Sequence, residues 1–293
     1  MMFNPKVSIV IPVYNWSNYL SEAIDSALNQ TYKNIEILVI NDWSKDNWET
    51  DKIAKSYWSK IIYIYKENWW VASALNLWIE NMKWDYFSWL SHDDLYFENK
   101  IEEQVSLLSN LDNIENIIPF SNYIFVNELA KEINKIDIVY KSENILYKLF
   151  INSFLNWCTL LIPRNAFNEI WVFENELKTT QDYHLWFRMM KKYKFINVPK
   201  YLVKSRQHWE QDSKTLIYKS MIERKDLEKF IFKNFSTKEL KESAWSNLPD
   251  ILFILLTKIK LEKYRILWFF YLIAQKLHID LFLASIYRKI FKF

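Results

Sequence analysis

No glycine occurs anywhere in the 293 residues of this chain. Glycine is the residue that takes φ > 0 without steric cost and lets backbone approach a ligand closely, and roughly 7% is usual. A chain without it must put side chains where a tight turn has no room for them. Tryptophan, with 15 copies, stands at those places, in "YNWSN", "NDWSKDNW", "ENWWVA", "MKWDY", "IWVF" and "QHWEQ". Thirteen positions follow this pattern: Trp16, Trp43, Trp48, Trp58, Trp69, Trp70, Trp78, Trp84, Trp157, Trp171, Trp209, Trp245 and Trp268. Trp89 and Trp186 lie inside apolar patterns and read as true tryptophans. Placement this systematic points to decoding: a codon, most simply UGA, read as glycine in the source organism and written as Trp here. The alternative is a truly glycine-free, Trp-rich protein, and the codons decide between them.

The length fits one large domain with an appendage, or two domains. With 51% apolar residues the chain can bury a sizeable core. Cys158 is the single cysteine, so no internal disulfide is available; a buried thiol in a reducing compartment is expected. The N-terminus, "MMFNPKVSIVIPVYN", lacks the basic region, long apolar stretch and small-residue site of a secretory signal, and a cytoplasmic location is expected. Net charge is only +3, and no nucleic-acid partner is expected. Residues 251–293 are the basic end, with eight Lys/Arg against two Asp/Glu. Their apolar stretches, 251–256, 266–273 and 281–287, fall far short of the ~20 residues that span a bilayer. Two readings stay open for them: a peripheral contact with anionic lipid on the inner face of the cell membrane, or a helical pair packed on the rest of the protein.

Short β-rich runs alternate with helical patterns from the start. Strands are expected at 7–13, 35–40, 61–65 and 86–90, and helices at about 19–30, 71–82 and 98–109. Continuous apolar runs imply strands buried on both faces, hence a mostly parallel α/β sheet flanked by helices. Ligands bind beyond the carboxyl ends of such strands, and the polar residues fall there: Tyr14 and Asn15, then Asn41 and Asp42, then Lys66 to Asn68, then His92 to Asp94. Residues 110–145 read as mixed and more strand-like, "CTLLIP" (158–163) as a strand, and 179–193 as an amphipathic helix with Asp182 in its first turn. From about 214 the pattern is helical, which sets expected domains of 1–213 and 214–293.

With glycine restored, "WSKDNWET" approaches the phosphate loop G-x-x-x-x-G-K-[ST], but Glu49 stands where the lysine must be and would repel phosphate. No restored G-x-G-x-x-G follows a strand, which argues against a dinucleotide-binding oxidoreductase. Asp93 and Asp94, by contrast, are adjacent carboxylates after a buried strand, in the crevice that holds Asp42. Such a group can bind a hard cation, Mg²⁺ or Mn²⁺, together with diphosphate oxygens.

The segments "VSIVIPVYNWSNYLSEAIDSALNQTYKNIEILVINDWSKDNWE", "ENWWVASALNLWI" and "DYFSWLSHDDLY", with glycine put back, resemble the N-terminal half of glycosyltransferase family 2, the inverting GT-A enzymes. Motif order and spacing match over about residues 6–215. The resemblance implies a GT-A fold, a Rossmann-like mostly parallel sheet flanked by helices, with a C-terminal helical extension. It implies that Pro12, Tyr14 and Asp42 clasp the base and ribose of a nucleotide-sugar donor, and that Asp93 and Asp94 form the metal-binding pair, with Asp94 the leading ligand. The family's carboxylate two places before the pair is Ser91 here, which departs from the pattern and leaves a ribose contact unassigned. Asp182 in "TTQDYHLW" resembles the family's catalytic base. "SRQHWEQDS" resembles its R-x-H-x-x-Q segment, which points to Arg206 and His208 near the diphosphate. His184 and His278 read as structural, and His92 as positioning its loop.

The implied reaction moves a sugar, with inversion, from a nucleotide donor such as a UDP-sugar to a glycan or lipid-linked acceptor. Rival readings are a nucleotide-sugar-binding protein without turnover, which Asp182→Asn would expose, and a nucleotidyltransferase, which would release pyrophosphate.

Overall fold

Strand β1 (Val7–Val13) is buried along its whole length, as its Val/Ile-rich run requires of a strand covered on both faces. The chain then turns into α1 (Leu20–Leu28), which buries Leu20, Ala23, Ile24 and Ala27 on one stripe, the i, i+3, i+4, i+7 spacing of an amphipathic helix. It returns in β2 (Ile35–Asp42), parallel to β1 and in register from Val7 opposite Ile35 to Val13 opposite Asn41. Helix α2 (Glu49–Ser56) leads to β3 (Ile62–Lys66), and β4 (Tyr86–Trp89) adds on the other side of β1.

The computed structural model describes residues 3–66, 84–170, 177–209, 216–244 and 254–258. The helix expected at 71–82 lies outside them, as do Asn68, Trp69, Trp70, Trp78, Trp171, Trp245, Trp268, His278 and nearly all of 251–293.

After β4 come β5 (Leu95–Tyr96), α3 (Lys100–Ser109), β6 (Ile117–Val126) and β7 (Glu132–Ile136). Next are α4 (Ile145–Asn152), β8 (Ile162–Pro163), α5 (Arg164–Ile170), α6 (Gln181–Met189) and β9 (Lys194–Arg206). The main sheet has the order β3-β2-β1-β4-β8, with the first four strands parallel and β8 antiparallel.

A second sheet, order β5-β9-β6-β7, was not foreseen. Its long strand β9 is absent from the expected elements because "KFINVPKYLVKSR" mixes lysines and a proline into the apolar run. The strand expected at 158–163 is also shorter: Trp157–Thr159 form a 3-10 turn, and only Ile162–Pro163 pair with β4. The Asn156 side chain accepts a hydrogen bond from the Cys158 N–H and starts that turn, a local bond that competes with ladder pairing.

The chain divides into two compact units, Met1–Glu228 and Lys229–Phe293. The boundary falls within α7 (Ile217–Asn234). In the second unit α8 (Thr237–Ser243) is opened by a capping box in which Ser236 and Glu239 satisfy each other's backbone N–H, the reciprocal arrangement typical of helix starts. Among the described residues no helix is long and apolar enough to cross a membrane.

Candidate active site

The register of β1 and β2 brings their last residues side by side, and hydrogen bonds lock the loops that follow. The Asn15 N–H donates to Ser44 Oγ at 2.8 Å, and the Ser44 N–H to Asn41 Oδ1 at 2.9 Å. Asn41 Nδ2 donates in turn to the Tyr63 hydroxyl at 2.9 Å. Asp42 is buried, with Lys66 Nζ of the neighbouring strand 3.7 Å from its Oδ1. Pro12 is buried within β1, while Tyr14 is exposed just beyond it.

This locking needs left-handed backbone on both sides: Asn15 has φ 56° and Trp43 φ 65°. Asparagine tolerates that region, whereas a bulky residue there is an outlier.

A second cluster joins the ends of β4 and β9. His208 Nε2 lies 3.0 Å from Asp93 Oδ2, both residues being buried. The Arg206 backbone N–H donates to Asp94 Oδ1 at 2.8 Å, and the Cys158 thiol lies 3.3 Å from Asp94 Oδ2. Both oxygens of Asp94 are thus engaged by protein. Burial, helped by the Asp93 charge, pushes the Asp94 carboxyl well above the usual carboxylate range against these hydrogen bonds. Burial also raises the Cys158 thiol, with the Asp94 charge adding to it.

Arg206 is fully buried. Its Nε donates to the Asp93 carbonyl at 2.9 Å and one terminal nitrogen to Glu22 at 2.7 Å; the other donates to the Glu128 carbonyl, and Tyr19 lies 4.2 Å beneath the guanidinium carbon. The Trp16 indole sits between His92 and His208, with ring centroids 5.7 and 5.0 Å away. The loops after β1, β4 and β9 therefore meet at Asp93.

Asp182 belongs to a different group of contacts. It sits in the first turn of α6, partly exposed, and accepts the Tyr183 N–H at 2.8 Å. Burial pushes its carboxyl up to about 7; the backbone N–H groups of Tyr183 and of Asp182 itself and the Trp157 indole work against that rise, and the Glu223 charge adds to it. The 3-10 turn links the two groups, since Trp157 faces Asp182 while Cys158, next in the chain, contacts Asp94.

Among the described residues no set of three or more His, Cys, Asp or Glu side chains could hold a metal by itself. Asp93 with His208 offers two protein donors, enough for a hard cation only when substrate oxygens complete its shell, the usual way Mg²⁺ is held next to a diphosphate.

Sequence reading named Asp93, Asp94, Arg206 and His208, which the structure gathers into one cluster, and Asp182, which it sets apart. It missed Ser44, Glu22 and Glu223 as supports. Only "NDWS" carried a local signal for one of these, Ser44; the others are joined through tertiary contacts alone.

Residues 8–171 match the family model described as glycosyl transferase family 2. An uncharacterized glycosyltransferase of Rickettsia prowazekii (strain Madrid E) is 45% identical over 257 residues, covering 85% of this chain and 80% of that one. A Rickettsia felis relative, also an uncharacterized glycosyltransferase, is 48% identical over 219 residues, 73% of this chain but 36% of its own greater length. Among solved structures, Staphylococcus aureus TarS 1–349 in complex with UDP-GlcNAc superposes with a TM-score of 0.61 at 16% identity, over 82% of this chain and 71% of that one. The mannosyltransferase PcManGT of Pyrobaculum calidifontis, in complex with GDP-Man and Mn²⁺, gives 0.54 at 14% identity, over 88% and 80%. At these identities the two structures speak for the fold alone. The parallel sheet, the loops meeting beyond its strand ends and the match over residues 8–171 lead to one conclusion: this chain has a GT-A fold and belongs to glycosyl transferase family 2.

Proposed function

We propose that the chain moves a sugar from a nucleotide-sugar donor, most simply a UDP-sugar, to a glycan or lipid-linked acceptor in a single inverting displacement. The observation that carries this reading is the meeting of the β1, β4 and β9 loops at Asp93, tied through one 3-10 turn to the raised carboxyl of Asp182. Complexes of the structural neighbours with UDP-GlcNAc and GDP-Man support a nucleotide-sugar ligand for this fold.

Pro12, Tyr14 and Asp42 line the donor's base and ribose, at the strand ends where such sheets bind ligands. Asp93 and His208 face the diphosphate. A Mg²⁺ or Mn²⁺ bound with Asp93 would offset the charge growing on the leaving diphosphate. In place of the metal and diphosphate contacts that the family resemblance implies for them, Asp94 and Arg206 support this surface from behind: both Asp94 oxygens are taken, by the Arg206 N–H at the end of β9 and by Cys158, and the Arg206 guanidinium pins the Asp93 backbone to α1. Asp182 accepts the proton of the acceptor hydroxyl as its oxygen attacks the anomeric carbon from the face opposite the departing diphosphate.

The crevice is roomy only if Trp16 and Trp43 are glycine in the living protein, and the backbone supports that decoding. Eight non-glycine residues take positive φ among those described, and three of them are Trp43, Trp48 and Trp58. All three are among the thirteen suspect positions, whereas neither Trp89 nor Trp186 has positive φ. Glycine at 16 would leave a slot between His92 and His208 beside Asp93. The catalytic unit acts on the cytoplasmic side, with residues 251–293 as its contact with the inner membrane face.

The test is a screen of nucleotide sugars with Mn²⁺ against the chain carrying glycine at the thirteen positions. Release of nucleoside diphosphate and a product of opposite anomeric configuration are expected. Release of pyrophosphate, or no turnover of any donor, would overturn the reading.

A further inference from the structure

Helix α7 carries two adjacent residues of opposite charge that grip the two segments flanking Asp182. The buried carboxylate of Glu223 accepts the backbone N–H groups of Lys178, Thr179 and Thr180, the Thr179 and Thr180 contacts to Oε2 being 2.8 and 3.1 Å and the nearest Lys178 contact, to Oε1, 3.1 Å. The Thr179 hydroxyl adds a fourth donor at 2.7 Å. These three residues are the approach to α6, and Thr180, its N-cap, makes no side-chain cap of its own. Glu223 therefore does from another helix what a local capping side chain does elsewhere, and places a negative charge by the positive end of the helix dipole.

Arg224 grips the other side. Its guanidinium donates to Ser153 Oγ at 2.5 Å and to the Phe150 carbonyl, closing the C-terminus of α4. Ser153 is left-handed there, with φ 46°, and its carbonyl accepts the Tyr183 hydroxyl at 2.8 Å. Asp182 lies between these attachments, one residue before Tyr183 and two after Thr180.

We propose that Glu223 and Arg224 form a clasp that positions Asp182, with Glu223 the positioning residue for the catalytic base. The proposal rests on the reading of Asp182 as that base. A merely structural pair would sit anywhere along α6 and α4. Glu223 binds the backbone that leads into α6, and Arg224 binds the turn at Ser153 that accepts the Tyr183 hydroxyl, so the two hold the chain on either side of Asp182; a misplacement of 1 Å can cost about a hundredfold in rate. Charge follows geometry: the Glu223 charge helps raise the Asp182 carboxyl, while Arg224 acts on Tyr183. Glu223 itself stays ionised more readily than usual, because its hydrogen bonds from Thr179 and Lys178, with the Lys219 charge adding to them, outweigh the burial that would raise it.

The experiment compares full-length wild type, Glu223→Gln, Thr179→Val, their double variant and Asp182→Asn, each with glycine at the thirteen positions. It reads kcat, donor KM, the pH profile and thermal midpoint. Glu223→Gln should lower kcat about tenfold or more with donor KM within about twofold, and move the acidic limb of kcat to lower pH. Thr179→Val should cost less, and the double no more than Glu223→Gln alone. If Glu223→Gln leaves kcat and the limb unchanged while Asp182→Asn is inactive, the clasp is overturned and the base stands. A kcat loss that merely tracks the thermal midpoint, with the limb unmoved, overturns it too. Full turnover by Asp182→Asn overturns the base and the clasp together.

Discussion

Trp157 and Cys158 are neighbours in one 3-10 turn that serve two carboxylates, the first facing Asp182 and the second lying 3.3 Å from Asp94. The turn thus joins the proposed base to the proposed diphosphate surface through a single peptide bond. Replacing Trp157 by glycine should open Asp182 to water. Burial is the largest influence raising its carboxyl, and the indole contact a smaller one lowering it, so the net effect is a fall. The acidic limb of kcat against pH should move to lower pH; an unmoved limb would show that the indole does not control this carboxylate.

Asp182→Asn should cost about 10² to 10⁴ in kcat, the range for a positioned proton acceptor, with donor affinity retained in calorimetry with UDP and Mn²⁺. Because the base must be ionised and its carboxyl is raised to about 7 beside Trp157, turnover of the chain that keeps Trp157, with glycine at the other twelve positions, should climb as pH rises through about 7 and be lost below it. A profile flat from pH 5 to 8 would contradict the assignment.

Trp43, Trp48 and Trp58 occupy left-handed backbone, and the latter two are 68% and 82% exposed, so little packing is lost with their rings. Glycine at 48 and 58 should each stabilise the chain by about 1 kcal/mol, the cost of left-handed backbone for a residue with a Cβ. Alanine at the same positions should gain nothing, since it keeps the Cβ. Denaturant titration of the glycine and alanine variants checks this, and equal midpoints for the two would refute strain as the cause.

Arg206→Met should destabilise the fold by about 1–3 kcal/mol, the cost of leaving buried acceptors unpaired, since the charge it faces, Glu22, is half exposed and returns to water. It leaves Glu22 and two backbone carbonyls, those of Asp93 and Glu128, without their donor. If donor affinity fell more than stability did, Arg206 would be touching the diphosphate itself instead of supporting Asp93.

Lys100 is buried, donating to Ser88 Oγ at 2.9 Å and Gln104 Oε1 at 2.8 Å, and burial lowers it to about 7. The folded value is below the unfolded one, so between about pH 7 and 10.5 the unfolded chain binds the extra proton. Stability should therefore rise with pH across that window, and Lys100→Met should lack this component when unfolding is followed from pH 7 to 10. An identical pH dependence in both would overturn it.

Much of the N-terminal half was legible in the sequence. Val7–Val13, Ile35–Asp42 and Leu20–Leu28 are strands and a helix because their apolar residues run unbroken or recur every three to four positions, and such periodicity is local information. The acidic pair stood out because it follows a strand. The thirteen tryptophans stood out by position alone, and three of them, Trp43, Trp48 and Trp58, have positive φ. Three-dimensional structure alone decided which groups support which. Asp94 turned out to hold Arg206 and Cys158, and Arg206 to hold Asp93; His208 met Asp93 from 115 residues away. Glu223 reached the approach to α6 from a helix 43 to 45 residues on. Such pairings depend on how two sheets and their connecting turns pack, and no residue's immediate neighbours encode them.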